Sequence, residues 1–185
     1  MRTRYKLLAA AVLALGLPAL PANAEVIIFG TTLTGGGENP PNGSPGMGTM
    51  TAWLDNVTDM LTVDETFSGL TAPATGAHIH CCALAGANAP IVLNFIGRGF
   101  PTGVTAGTYD HTFNLMTDLA GITVSDFITA LESGTAYANI HDANFPGGEI
   151  RGQLTRVPEP TTLSLFLFGA GAVALARRKK GPTKG

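Results

Sequence analysis

From residue 26 to residue 155 the chain is cut into short segments in which apolar and polar residues alternate, each closed by a turn rich in glycine or proline. With 24 glycines and 12 prolines in 185 residues, long helices have little room to form. Residues 26–33 are apolar and β-branched and stop at Thr34-Gly35-Gly36-Gly37, which makes them a first strand. Residues 38–46, with three prolines and two glycines, form a loop. Met50, Ala52 and Leu54 then share one face of a strand over 48–54, with Trp53 on the other. Leu61, Val63, Glu65 and Phe67 alternate in its partner, and Asp55-Asn56-Val57-Thr58-Asp59 turns between the two. Further strands are predicted over 76–82, 91–96, 136–140 and 149–155, and in a segment where Tyr109, His111, Phe113 and Leu115 line one face. One helix is expected, capped by Thr123, with Val124, Phe127, Ile128 and Leu131 at helical spacing and Gly134 as its stop. Half-apolar strands must bury one face against a second layer. The predicted fold is all-β, a two-sheet Greek-key β-sandwich with one short helix.

Both ends carry different chemistry. Arg2, Arg4 and Lys6, an apolar stretch over 7–17 and Ala22-Asn23-Ala24 have the order of a secretory signal helix, so residues 1–24 are assigned to a signal peptide cut before Glu25. Near the other end, Val157-Pro158-Glu159-Pro160 precedes an apolar run over 161–176 and the basic cluster Arg177-Arg178-Lys179-Lys180. The run of 16 residues is just under the length of a spanning helix. The basic end would stay cytoplasmic and leave the rest outside. Residues 157–185 resemble the PEP-CTERM sorting signal of Gram-negative bacteria. That resemblance implies an exosortase-type processing enzyme as well as signal peptidase, a transient membrane anchor through the C-terminal hydrophobic helix, and delivery to periplasm, outer surface or extracellular matrix. Between the ends, residues 25–156 form one domain. It carries twelve acidic residues against Arg98, Arg151 and Arg156. No basic patch is available to meet phosphates, which excludes nucleic acid as a partner.

The stretch Gly76-Ala77-His78-Ile79-His80-Cys81-Cys82 holds two of four histidines and both cysteines. On a strand His78 and His80 point to one face, which makes half of a metal site or two ordinary hydrogen-bonded histidines. Adjacent cysteines cannot form an ordinary structural disulfide, because neighbouring Cα atoms lie only about 3.8 Å apart. A vicinal disulfide, a bridge to another chain and metal-held thiolates remain open. His111, set among apolar neighbours, is read as packing.

Ala77-His78-Ile79-His80, Tyr137-Ala138-Asn139-Ile140-His141 and Phe145-Pro146-Gly147-Gly148-Glu149-Ile150-Arg151-Gly152-Gln153-Leu154 together resemble the CHRD domain, a module of chordin and of many bacterial exported proteins. The resemblance implies architecture rather than a defined activity. A second resemblance is to copper/zinc superoxide dismutases, Greek-key sandwiches with a His-x-His pair, a later copper-binding histidine and an arginine near the C-terminus. His78, His80, His141 and Arg151 occur in that order, while a bridging histidine, a zinc loop and the structural cysteines of those enzymes have no counterpart. The sandwich is accordingly expected to be superoxide-dismutase-like or Ig-like. Three neutral imidazoles suit copper or zinc, with water or Cys82 in the fourth position and Glu149 and Arg151 behind them. The competing reading makes His141 a hydrogen-bonded residue that closes a hairpin, and Glu149 and Arg151 an ion pair on one strand. Two functions follow: a non-catalytic surface or matrix module that binds extracellular polysaccharide or protein, and a copper/zinc redox protein of the periplasm or surface. Mass spectrometry of the exported protein checks the processing. Glu25 is the expected first residue, with an end near Pro158-Glu159-Pro160, and a chain retaining residues 161–185 would overturn the sorting assignment.

Overall fold

A computed structural model describes residues 26–158. Its strands are β1 (Val26–Thr34), β2 (Met47–Asp55), β3 (Met60–Ser68), β4 (Ala74–Cys81), β5 (Ile91–Asn94), β6 (Gly107–Asn114), β7 (Ala136–Asp142), β8 (Ile150–Gln153) and β9 (Thr155–Arg156). Two helices, α1 (Leu115–Asp118) and α2 (Val124–Glu132), fall between β6 and β7. The all-β expectation is borne out. Every pairing is antiparallel.

The division into two sheets is not what the strands adopt. They join in one sheet of order β5-β4-β7-β8-β1-β2-β3-β6, with β9 also paired to β1. Continuity runs through β1, which pairs with β2 along its whole length and on its other side meets β8 at Thr34 and β9 at Phe29 and Gly30. Burial is achieved by curling instead. The edge strands β5 and β6 are brought together where Phe95, just past β5, stacks on Tyr109 at 5.0 Å and meets Phe113 at 5.4 Å. The Ala120 N–H donates to the Val92 carbonyl at 3.0 Å, and an Arg98–Asp118 ion pair of 2.9 Å lies over the same seam. Side chains, rather than a ladder of backbone bonds, bridge the two edge strands. The twist native to antiparallel sheets lets one sheet face itself across a single core.

Local chemistry sets the elements much as the sequence indicates. The hairpin turn after β2 is held by the Asp55 carboxylate, which accepts from the Val57 and Thr58 N–H groups. In α2, Thr123 Oγ1 accepts from the Asp126 N–H at 3.1 Å, and Phe127, Ala130 and Leu131 bury one face while Gly134, at φ +68°, ends the helix. Leu115 belongs to the extra turn α1 rather than to β6, because the Asn114 side chain caps that turn by accepting from the Met116 N–H. Trp53 sits half-buried on the outer face, opposite Met50. No helix among the described residues is long and apolar enough to cross a membrane; the signal segment 1–24 and the apolar run 161–176 lie outside them.

One inward position breaks the apolar pattern. Glu65, between Val63 and Phe67, is wholly buried opposite Tyr109, and neither of its carboxyl oxygens has a partner. Burial pushes its pKa up to about 8. The unfolded chain loses this proton near pH 4.5 and the folded chain holds it to about 8, so stability falls as pH rises through that window. Glu65→Gln should therefore unfold at a higher temperature than the parent at pH 7.5, with the difference shrinking towards pH 4. Thermal unfolding followed by circular dichroism at both pH values measures it.

Candidate metal centre

The pairing of β4 with β7 builds the site. Gly76 lies opposite His141, His78 opposite Asn139 and His80 opposite Tyr137. Alternation then sends Ala77, Ile79, Ala138 and Ile140 into the core and both sets of polar residues to the other face. That face is not open to water. The loops 82–90 and 35–46 lie over it, and His78 and His80 are only 8% and 9% exposed. The strand prediction for 136–140 stops two residues short, since β7 runs to Asp142 and carries His141 with it.

The three imidazoles gather. Ring centroids are 5.0 Å apart for His78 and His141, 5.7 Å for His78 and His80, and 6.4 Å for His80 and His141. One nitrogen of each lies within 4.8 Å of the others. His80 Nδ1 donates to the Ala89 carbonyl at 2.8 Å and His141 Nδ1 to the Pro146 carbonyl at 3.0 Å. Each clamp leaves its Nε2 as the lone-pair nitrogen, and the Nε2 atoms of His80 and His141 and Nδ1 of His78 are buried without a partner. Burial, reinforced by the neighbouring imidazoles, brings the His78 pKa down to about 4, and burial also lowers those of His80 and His141. The trio is neutral at pH 7, the protonation state of a metal ligand.

Around the trio lies a buried polar layer. The Tyr137 ring stacks on His80, 4.7 Å away and nearly parallel, and the Arg151 guanidinium sits 3.4 Å from the Tyr137 ring centre. Arg151, 1% exposed, donates to Asn88 Oδ1, the Ala87 carbonyl and Gln153 Oε1. These bonds pin the loop that supplies the Ala89 carbonyl. Arg151 thus holds the loop 82–90 from beneath and reaches His80 only through the intervening Tyr137 ring.

Glu149 is placed elsewhere. It lies just before β8, outside the strand that carries Arg151. Its carboxyl accepts from the Ser44 hydroxyl and the Thr71 N–H and neighbours Asp142, which takes bonds from Thr71, Ala72 and Phe145. Burial raises the Glu149 pKa, and the adjacent Asp142 adds to the rise. Cys82 also falls away from the expected face: β4 ends at Cys81, and the two sulfurs are joined in a vicinal disulfide, one of the three fates left open. His111 stands on β6 with its ring 4.6 Å from Phe113 and is not part of the histidine cluster. Of the sorting residues, Val157 donates its N–H to the Ile28 carbonyl on β1, and Pro158 closes the described chain; Glu159, Pro160, Arg177 and Arg178 lie outside it.

Sequence reasoning did not single out Tyr137, Asn139 or Glu38 as parts of the site. The first two were within reach, because counting back by twos from His141 puts them on its face. Glu38 sits in an aperiodic loop and gives no such signal.

The described residues therefore form a curled antiparallel β-domain with a histidine cluster enclosed beneath two loops. By its family model, matched over residues 29–154, the chain belongs to the CHRD domain family. A PEP-CTERM protein-sorting motif matches residues 156–180 and marks an exported protein of the Gram-negative cell envelope or surface, handled by an exosortase-type enzyme. No curated protein and no solved structure matches the chain.

The depressed histidine pKa values make a prediction for the chelator-treated protein. Its unfolded chain takes up protons near pH 6.5, whereas folded His78 resists them down to about 4, so stability is lost as pH falls through that range. Replacing His78 by Asn should flatten the decline, as read from denaturation midpoints between pH 7 and pH 4.

Proposed function

We propose that this protein is a non-catalytic module of the cell envelope or surface in which His78, His80 and His141 hold one zinc or copper ion. The observation that carries this reading is a trio of imidazoles that bring one nitrogen each within 4.8 Å of the others, each ring also holding a buried partnerless nitrogen, with Nδ1 of His80 and His141 clamped by backbone carbonyls. A buried polar atom without a partner costs about 1–3 kcal/mol, and three such nitrogens repay that cost when they share an ion. In a tetrahedral site with bonds of about 2 Å the nitrogens stand about 3.3 Å apart, so small ring rotations close the 4.8 Å cluster onto the metal. Water fills the fourth position, since the Cys82 sulfur is engaged by Cys81.

The enclosure of the trio favours a structural ion over a catalytic one. Such an ion would tie β4 to β7, and through the Ala89 and Pro146 carbonyls it would fix the loops 82–90 and 143–149. The domain as a whole, with twelve acidic residues against three arginines, is what an exported module presents to extracellular polysaccharide or protein.

Metal loading tests the reading. The full chain, purified in detergent and stripped with chelator, should retain about one equivalent of zinc or copper after gel filtration. At a free-metal concentration one hundred times Kd it should gain about 2.7 kcal/mol of stability. Copper-loaded protein should show nitrogen hyperfine coupling from several imidazoles in its paramagnetic resonance spectrum. His78→Ala should lose both retention and stabilisation. Protein that retains no metal, with His78→Ala responding to metal exactly as the parent does, rules the centre out.

A further inference from the structure

A cleft of about 320 Å³ lies between the loop bearing Glu38–Asn42 and the loop bearing Asn144–Gly148. Its lining has one ionisable side chain, Glu38. Phe145, Pro41 and Pro146 offer apolar C–H surface, and Asn39 and Asn144 stand among them with side-chain amides. Glu38 is 6% exposed and one of its carboxyl oxygens is buried without a partner. The carboxyl reaches this position because residue 148 is glycine: the backbone there has φ +130°, and a Cβ would collide with the Glu38 carboxyl group. Behind Glu38 stand Asn139 and the cationic Arg151, which belong to the buried polar layer under the loops.

These features define a ligand. Burial raises the Glu38 pKa to about 7 against the opposing pull of Arg151, and no other ionisable side chain lines the cleft, so a charged guest would find no firm complement in its walls. An apolar platform next to amide groups and one buried acceptor calls for a molecule with a C–H face and hydroxyls at its rim. The volume sits at the small end of ligand pockets. We propose that this cleft binds a neutral sugar residue of an extracellular polysaccharide, with Phe145 as the platform under the ring and Glu38 as the buried acceptor for one hydroxyl.

This takes up the polysaccharide side of the surface-binding reading and assigns it a place, while needing no metal. Pro146 nevertheless joins the two sites, because it lines the cleft and its carbonyl holds His141 Nδ1. Whatever a bound sugar does to the affinity for metal, the metal does equally to the affinity for sugar.

The experiment uses the full chain, isotope-labelled and chelator-treated, in a detergent without a sugar headgroup. Cellotetraose, xylotetraose, mannotetraose and tetra-N-acetylchitotetraose are titrated in turn, and polygalacturonate serves as the charged comparison. At least one neutral tetraose should shift the Asn39 and Asn144 side-chain amides and the Phe145 ring signals in a saturable way. Phe145→Ala and Glu38→Gln should each weaken that binding at least tenfold with the rest of the amide spectrum unchanged. If Glu38→Gln does not fold, Asn144→Ala provides the second variant and should weaken binding at least threefold. The proposal is overturned if none of the four tetraoses gives a saturable shift, if the shifts map to another face, if the folded variants bind as the parent does, or if polygalacturonate binds more tightly than every neutral sugar. Because metal is absent throughout, a negative result leaves the histidine centre to its own test.

Discussion

The register between β4 and β7 is the constraint on which the rest of the structure depends. These strands are some sixty residues apart in sequence, and their pairing sets Gly76 against His141 and His78 against Asn139. A slip of one residue would send the histidines into the hydrocarbon core and Ala138 and Ile140 out of it. The apolar set on the inner face therefore holds the polar set on the outer face in place. Hydrophobic burial, which is directionless, acquires here the precision that a three-nitrogen cluster needs.

Covering that outer face carries a cost, and the structure meets it in detail. Arg151, among the largest of the fully buried side chains, would be prohibitive without partners; it has three hydrogen-bond acceptors and the face of Tyr137. Tyr137 stacks in turn on His80. The loop 82–90 supplies acceptors to Arg151 and His80 alike, so the cationic side chain and the histidine cluster are organised by the same few peptide groups. The three histidines that carry unpartnered nitrogens cluster together, a distribution that differs from the isolated, uncompensated carboxyl of Glu65 on the opposite half of the sheet.

Much of this was legible in the chain. The hairpin from Met47 to Ser68, the capped helix from Val124 and the face-sharing of His78 with His80 follow from local rules of alternation, turns and caps, and all are found. The less legible features depend on contacts between distant segments. A sandwich and a curled sheet share the same strands and the same alternation, and only the double pairing of β1 and the Phe95 contact with β6 distinguish them. Glu149 and Arg151 look like neighbours at i and i+2, yet β8 begins only at Ile150, and the first bonds to Ser44 and Thr71 beside Asp142 while the second lies under the loop 82–90.

By itself the sequence determined the alternation that makes the domain all-β, the acidic character of its surface, and the sorting motif at its end, since each is a property of residues close together in the chain. Tertiary structure alone decided that His141 would join His78 and His80, that Cys82 would not, and that Glu38 would reach the floor of a cleft. Those outcomes depend on strand register, on where a strand stops and on which loops cover a face. All three are settled when distant segments compete to bury the same apolar surface.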